Sequence, residues 1–123
     1  MNGRKYLKRS KREKTVPGAY HSLTGAALAR NMGFDERVSS AVRWHTTGRA
    51  GMSVLEKIIY LADKTEPFRP LYSGLPVIRA EMFRSLDLAV AMALRRIICW
   101  NRERGRILDK NSAEALNWLE NVK

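Results

Sequence analysis

Three side chains in this sequence could together hold a metal ion. His21 and His45 are the only histidines, 24 residues apart, and Asp63 follows 18 residues after His45. Imidazole and carboxylate side by side suit iron, manganese or zinc better than calcium. Asp63 ends the mostly apolar run Ile59-Tyr60-Leu61-Ala62, and a carboxylate on a buried helix is costly unless it is paired or binds a metal. Plainer readings stand beside this one. Asp63 can pair with Lys64, Lys57 or Arg43, and His45 can cap a helix C-terminus, where a cation meets the dipole. Spacing alone does not choose between them.

The elements that must position these groups read as helices throughout. No period-two alternation and no internal repeat occurs. A first helix is expected over about 22–32, with Gly33 as its stop. A second starts at Asp35 as N-cap and runs to about His45, with Val38, Ala41, Val42 and His45 on one face. The loop Thr46-Thr47-Gly48-Arg49-Ala50-Gly51 follows. Ser53 with Glu56 makes a capping box for a third helix, and Pro67 ends it. Its apolar positions Val54, Leu55, Ile58, Ile59, Leu61 and Ala62 cover most of the circumference, which predicts a central, buried helix. A loop over 67–76 leads to a short helix over 77–84. A long helix follows over 86–104, with Leu86, Ala89, Val90, Ala93, Ile97 and Trp100 on one stripe and Gly105 as its stop. Asn111 with Glu114 resembles a second capping box and opens a last helix through Trp118 and Leu119.

Length and composition set the frame. The 123 residues fit one domain, and 45% hydrophobic with 28% charged residues is a globular balance. The lone Cys99 excludes an internal disulfide, suits a reducing cytoplasm and reads as a buried packing residue after Ile97 and Ile98. No apolar run is long enough to span a bilayer and no signal peptide is visible, so the expected location is cytoplasmic and no membrane partner is expected. Net charge is +11, of which residues 1–16 contribute +6. Residues 1–18 read as a flexible basic arm ending at Pro17-Gly18, ahead of a domain over 19–123. Such an arm offers nucleic acid a phosphate-binding strand through residues 1–16; the plainer reading is a solvated tail.

Longer strings narrow the choice. His45-Thr46-Thr47-Gly48, the stretch from Gly51 to Asp63, and Glu66-Pro67 followed by Arg69 closely resemble the YqeK-type family of bacterial HD-domain phosphohydrolases. His21 with Gly25 is similar to that family's preceding His-Gly segment, and Ala93 to Ile98 and Asn111 to Leu119 look like its C-terminal helices, so the resemblance covers roughly 19–120. It implies an all-α, HD-domain-like bundle of about six helices. It also implies symmetrical cleavage of diadenosine tetraphosphate to two ADP on a divalent-metal centre, with iron first and manganese or zinc as alternatives. Carried over, the metal ligands are His21, His45 and Asp63. Thr46, Thr47, Gly48 and Arg49 become a polyphosphate-facing loop, with Lys64 and Arg69 nearby; without the resemblance that loop reads as a helix connector.

One departure bears on activity. His21 precedes Ser22 and His45 precedes Thr46, so the chain has no His-Asp doublet. In the family an earlier His and the doublet complete the metal set, and here their place holds the basic arm. The bundle is therefore expected to be incomplete on its N-terminal side. It should expose an apolar face, either because the chain is a truncated or mis-started reading frame or because a complementing chain or another copy covers it, and hydrolysis by this chain alone should be weak or nil. A non-catalytic nucleotide-binding remnant and a basic nucleic-acid-associated module are the alternatives.

Overall fold

The structure, a computed structural model, describes residues 19–121; the basic arm over 1–18, with the nucleic-acid segment assigned to 1–16, lies outside them. Six helices make up the regular structure of the described residues, which contain no strand. They are α1 (Ala19–Asn31), α2 (Glu36–Trp44), α3 (Val54–Thr65), α4 (Leu75–Glu81), α5 (Leu86–Glu103) and α6 (Lys110–Asn121). No helix is long and apolar enough to cross a membrane.

Local signals set most boundaries. At Gly33, with φ of 89°, the amides of Gly33 and Phe34 reach back to the carbonyls of Arg30 and Ala29, so a left-handed residue satisfies the last carbonyls of α1. The Asp35 side chain accepts from the Val38 amide at 3.2 Å and starts α2. Ser53 and Glu56 form the capping box of α3 as expected. Two starts differ. The short helix begins at Leu75, two residues before the expected Val77, because Pro76 fits the first turn, where its missing N–H is not needed. The cap of α6 is Asp109, not Asn111: Asp109 Oδ1 accepts from the Asn111 amide at 2.7 Å.

Packing follows a chain of neighbours. α1 lies on α2, α2 on α3, and α3 on α5, which also carries α4 and α6. The core is Met52, Tyr60, Leu61, Ile78, Ala89, Val90, Ala93, Leu94 and Ala115. Gly48, with φ of 73°, turns the 45–53 loop inward, and a Cβ there would touch Leu94, Ala115 and Met52. Ser112 donates to the Thr47 carbonyl at 2.6 Å and ties α6 to the same loop.

Two expectations of burial are corrected. α3 is not buried all round: Val54 is 62% exposed and Ile58 46%, and Leu55 is exposed beside them. The helix packs through Glu56, Lys57, Tyr60 and Leu61 and leaves its other apolar side open. Leu28, Met32 and Phe34, on α1 and just after it, are also exposed. Cys99 is exposed as well. It lies six residues past Ala93, on the opposite side of α5 from the core stripe, and its Sγ meets Glu103 at 3.4 Å.

Candidate metal and nucleotide site

His21 and His45 meet because α1 and α2 pack closely. A Cβ on Gly25 would sit 3.0 Å from Val42 Cγ1, so the glycine lets the two helices approach closely there. One turn from Gly25 towards the N-terminus is His21, and three residues beyond Val42 is His45. Their rings meet edge to face, with centroids 6.2 Å apart. Beside them Ser22 donates to Thr46 Oγ1 at 2.6 Å, which pins the loop to α1.

His45 is oriented as metal ligands usually are. Its Nδ1 contacts the Val42 carbonyl, which can only accept, so Nδ1 carries the proton and Nε2 keeps its lone pair. Asp63 is arranged differently. Its carboxylate contacts Lys64 Nζ at 3.0 Å and Arg69 Nη2 at 3.6 Å. Lys64 Nζ also donates to the carbonyls of His45, at 3.0 Å, and Thr46, at 3.4 Å, and so bridges the C-terminal end of α2 to Asp63. Burial pulls the Lys64 ammonium below the usual lysine range, and Asp63 pulls it part of the way back.

These residues alone do not build a closed metal site. Among the described residues no group of three or more His, Cys, Asp or Glu side chains could hold a metal ion. Catalytic zinc sites, as a guide, use three protein ligands. The structure thus brings together two of the three expected ligands, while Asp63 pairs with Lys64, whose ammonium bonds the His45 carbonyl, and lines a cavity that neither histidine lines.

The six expected phosphate contacts divide. Thr46, Thr47, Lys64 and Arg69 line one cavity of about 270 Å³ together with Asp63. Gly48 is buried in the core turn. Arg49 makes two 2.7 Å bonds to the oxygens of Glu56, which is 3% exposed. Burial would raise the Glu56 carboxyl, but the bonds from Arg49 and Ser53 outweigh it and hold Glu56 below its ordinary value. Arg69 also works as a helix cap. It donates to the Asp63 carbonyl at 2.8 Å, while Tyr72 donates to that of Lys64 and Arg79 to those of Thr65 and Glu66. The last carbonyls of α3 therefore meet two cations and a phenol.

Sequence reasoning passed over the far wall of this cavity. Ile97 and Trp100 continue the stripe of α5, but the core ends at Leu94, and both line the cavity instead. Residues that keep a core pattern beyond the point where the core stops were the available signal.

No family model matches the chain. It is 32% identical over 105 residues to the symmetrical bis(5'-nucleosyl)-tetraphosphatase of Bacillus subtilis, covering 84% of this chain and 56% of that protein. It is 36% identical over 101 residues to the protein of the same name from Halalkalibacterium halodurans, covering 80% and 54%. The chain therefore spans a little over half the length of these relatives. A solved structure from Clostridium acetobutylicum, described as a predicted HD superfamily hydrolase involved in NAD metabolism, superposes with a TM-score of 0.85 at 32% identity, covering all of this chain and 70% of that one.

Proposed function

The chain belongs to the YqeK-type family of HD-domain hydrolases, and from that premise we propose that it supplies part of the active site of a metal-dependent dinucleotide polyphosphate hydrolase. The reaction class is symmetrical cleavage of diadenosine tetraphosphate to two ADP. In this reading His21, His45 and Asp63 are metal ligands, Thr46, Thr47, Lys64 and Arg69 face the phosphates, and a His-Asp doublet from outside residues 1–123 completes the metal set. The observation that carries it is the pairing of His21 with His45, whose Nδ1 is fixed by the Val42 carbonyl and whose Nε2 lies 3.4 Å from the Thr46 hydroxyl, a contact a metal would replace.

Each group has a definable task. Lys64 and Arg69 place two cations beside a phosphate chain that carries several negative charges, and arginine can grip a phosphate with two parallel hydrogen bonds. Lys64 also pairs with Asp63, a contact that a metal would replace. A divalent metal in such hydrolases activates water and neutralises charge at the reacting phosphorus, and the donor types here suit iron, with manganese or zinc as alternatives. The exposed apolar side of α3, with Leu28 and Met32 of the α1 region, supports a covering partner.

The test mixes the full chain with the part of the Bacillus subtilis relative that it does not span. Iron or manganese and diadenosine tetraphosphate are added, and ADP is followed by chromatography. ADP should appear only in the mixture, and His45→Ala should lower the rate at least about a hundredfold. Absence of ADP from a mixture shown to associate would refute the reading. A second reading has its own support: the lack of a three-ligand group among the described residues favours a chain that binds nucleotides without cutting them. ADP binding by the full chain, with no cleavage in the associated mixture, is the result that selects it.

A further inference from the structure

We propose that Arg79 of α4 is a positioning residue for the phosphate-facing pair Lys64 and Arg69: it clamps the carbonyls of Thr65 and Glu66 and so fixes the turn on which that pair stands. This rests on the phosphate contacts assigned in the hydrolase reading above, and it gives a task to a cation that reading leaves unused.

The end of α3 lacks the usual means of stopping a helix. Its C-cap, Glu66, is extended, with ψ of 149°, and Pro67 follows, whose ring keeps the residue before it out of the helical region. No glycine turns the chain back over the last carbonyls, as Gly33 does for α1; the residues after Thr65 are Glu66, Pro67, Phe68 and Arg69. Side chains from further along the sequence meet those carbonyls instead. Arg69 Nε donates to the Asp63 carbonyl and the Tyr72 hydroxyl to that of Lys64, both at 2.8 Å. Arg79 Nε donates to the Thr65 carbonyl at 3.2 Å, and its Nη2 to the Glu66 carbonyl at 3.0 Å. Four successive carbonyls are therefore held, two of them by one guanidinium.

Arg79 has the firmest footing of the three donors. Its neighbour Ile78 and Leu75, one turn before it, are both buried, so α4 carries the guanidinium from the packed core. Arg69 and Tyr72 stand in the loop over 66–74, which the clamp itself holds. No carboxylate pairs with Arg79 among the described residues, so its charge serves the carbonyls at the negative end of α3. It does not line the cavity that Asp63, Lys64 and Arg69 line, so it reaches a bound phosphate only through them.

This gives α4 a lever on the site. Asp63 and Arg69 flank the held turn, with Arg69 Nη2 3.6 Å from the Asp63 carboxylate. Releasing the Thr65 and Glu66 carbonyls frees the turn to shift, and a small displacement of a guanidinium is enough to spoil a two-bond grip on phosphate.

Two measurements on the full chain test the assignment: hydrogen exchange at the arginine Nε groups, followed by NMR, and calorimetry with tripolyphosphate. In Arg79→Gln the Arg69 Nε–H, which the Asp63 carbonyl shields, should exchange at least about tenfold faster. Tripolyphosphate affinity should fall about three- to tenfold, although the replaced residue does not line the cavity. Arg79→Lys keeps a donor for one carbonyl and should give intermediate values in both; it also guards against a folding defect in the glutamine variant. Arg84→Gln removes a cation just past α4 that is 80% exposed and 3.9 Å from Glu81, and it should leave both readings within about twofold of wild type. That control separates position from charge. The assignment is overturned if Arg69 exchange is unchanged in Arg79→Gln, or if exchange quickens while tripolyphosphate binds as tightly as before. It is equally overturned if Arg84→Gln weakens tripolyphosphate as much, or if wild type does not bind it. The two proposals can fail separately. ADP release by the complemented mixture, with Arg79→Gln like wild type in both measurements, sinks only the positioning role. Both effects of Arg79→Gln, with no ADP from any associated mixture, sink only the hydrolase.

Discussion

The two ends of α3 carry similar charges and use them differently. At the N-terminal end Arg49 and Glu56 satisfy each other: two bonds of 2.7 Å join them, and Glu56 also closes the capping box on Ser53. At the C-terminal end Asp63, Lys64 and Arg69 are linked more loosely, at 3.0 Å and 3.6 Å, and all three line a cavity. The first network holds the loop over 45–53 in place. The second leaves a carboxylate and two cations on the wall of that cavity, with Lys64 tied to the His45 carbonyl. An arginine's setting, and not its presence in a motif, decides which kind of work it does. Here Arg49 builds the site and Arg69 borders it.

Glu56→Ala should produce the largest effect on that contrast. It removes the partner of Arg49 and half of the capping box together, at a cost of about 3 kcal/mol, read as a lower urea midpoint. A loss below about 1 kcal/mol would mean that this end is no more structural than the other.

Acid should expose the same asymmetry more gently. The folded Glu56 carboxyl lies below its ordinary value of 4.5. The folded state therefore resists its protonation. Its contribution to stability is complete above the unfolded value and disappears as pH falls through the folded one. Urea midpoints taken downward from pH 6 should fall more steeply for wild type than for Glu56→Gln, which keeps a capping side chain but cannot titrate. Parallel curves would remove Glu56 from the account.

Asp63→Asn should have the smallest effect on stability, within about 1 kcal/mol, because Asp63 itself is 41% exposed and the mostly buried Lys64 keeps its bonds to the His45 and Thr46 carbonyls. The same variant should abolish ADP release by the complemented mixture. A large loss of stability with activity retained would reverse the roles assigned to the two ends.

Much of this was legible in the residues. Asp35, the Ser53–Glu56 pair and the two stop glycines marked helix ends because caps act within a few residues. The strings around His45 and Asp63 pointed to the family. What stayed hidden depends on distant partners. The apolar positions of α3 cover most of its circumference, and nothing in them shows that Val54 and Ile58 would be left exposed. Cys99 followed two isoleucines yet lies on the outer side of α5. Asp109 displaced Asn111 as the cap of α6 through a local hydrogen bond that the similarity to a capping box obscured. Arg49 looked like a phosphate ligand because sequence did not reveal Glu56 as its partner. The cavity beside Asp63 needs α5, the 66–74 loop and the 105–109 segment together, and no single stretch announces it.

We propose that His21 and His45 belong to a metal centre that needs further ligands from outside residues 1–123. Manganese titration followed by electron paramagnetic resonance tests it on the full chain, alone and with the unspanned part of the Bacillus subtilis relative. The account predicts weak binding alone, at least about a hundredfold tightening in the mixture, and loss of that tightening in His21→Ala and His45→Ala. Tightening that survives both substitutions, or an associated mixture that binds manganese no better than the chain alone, would contradict it.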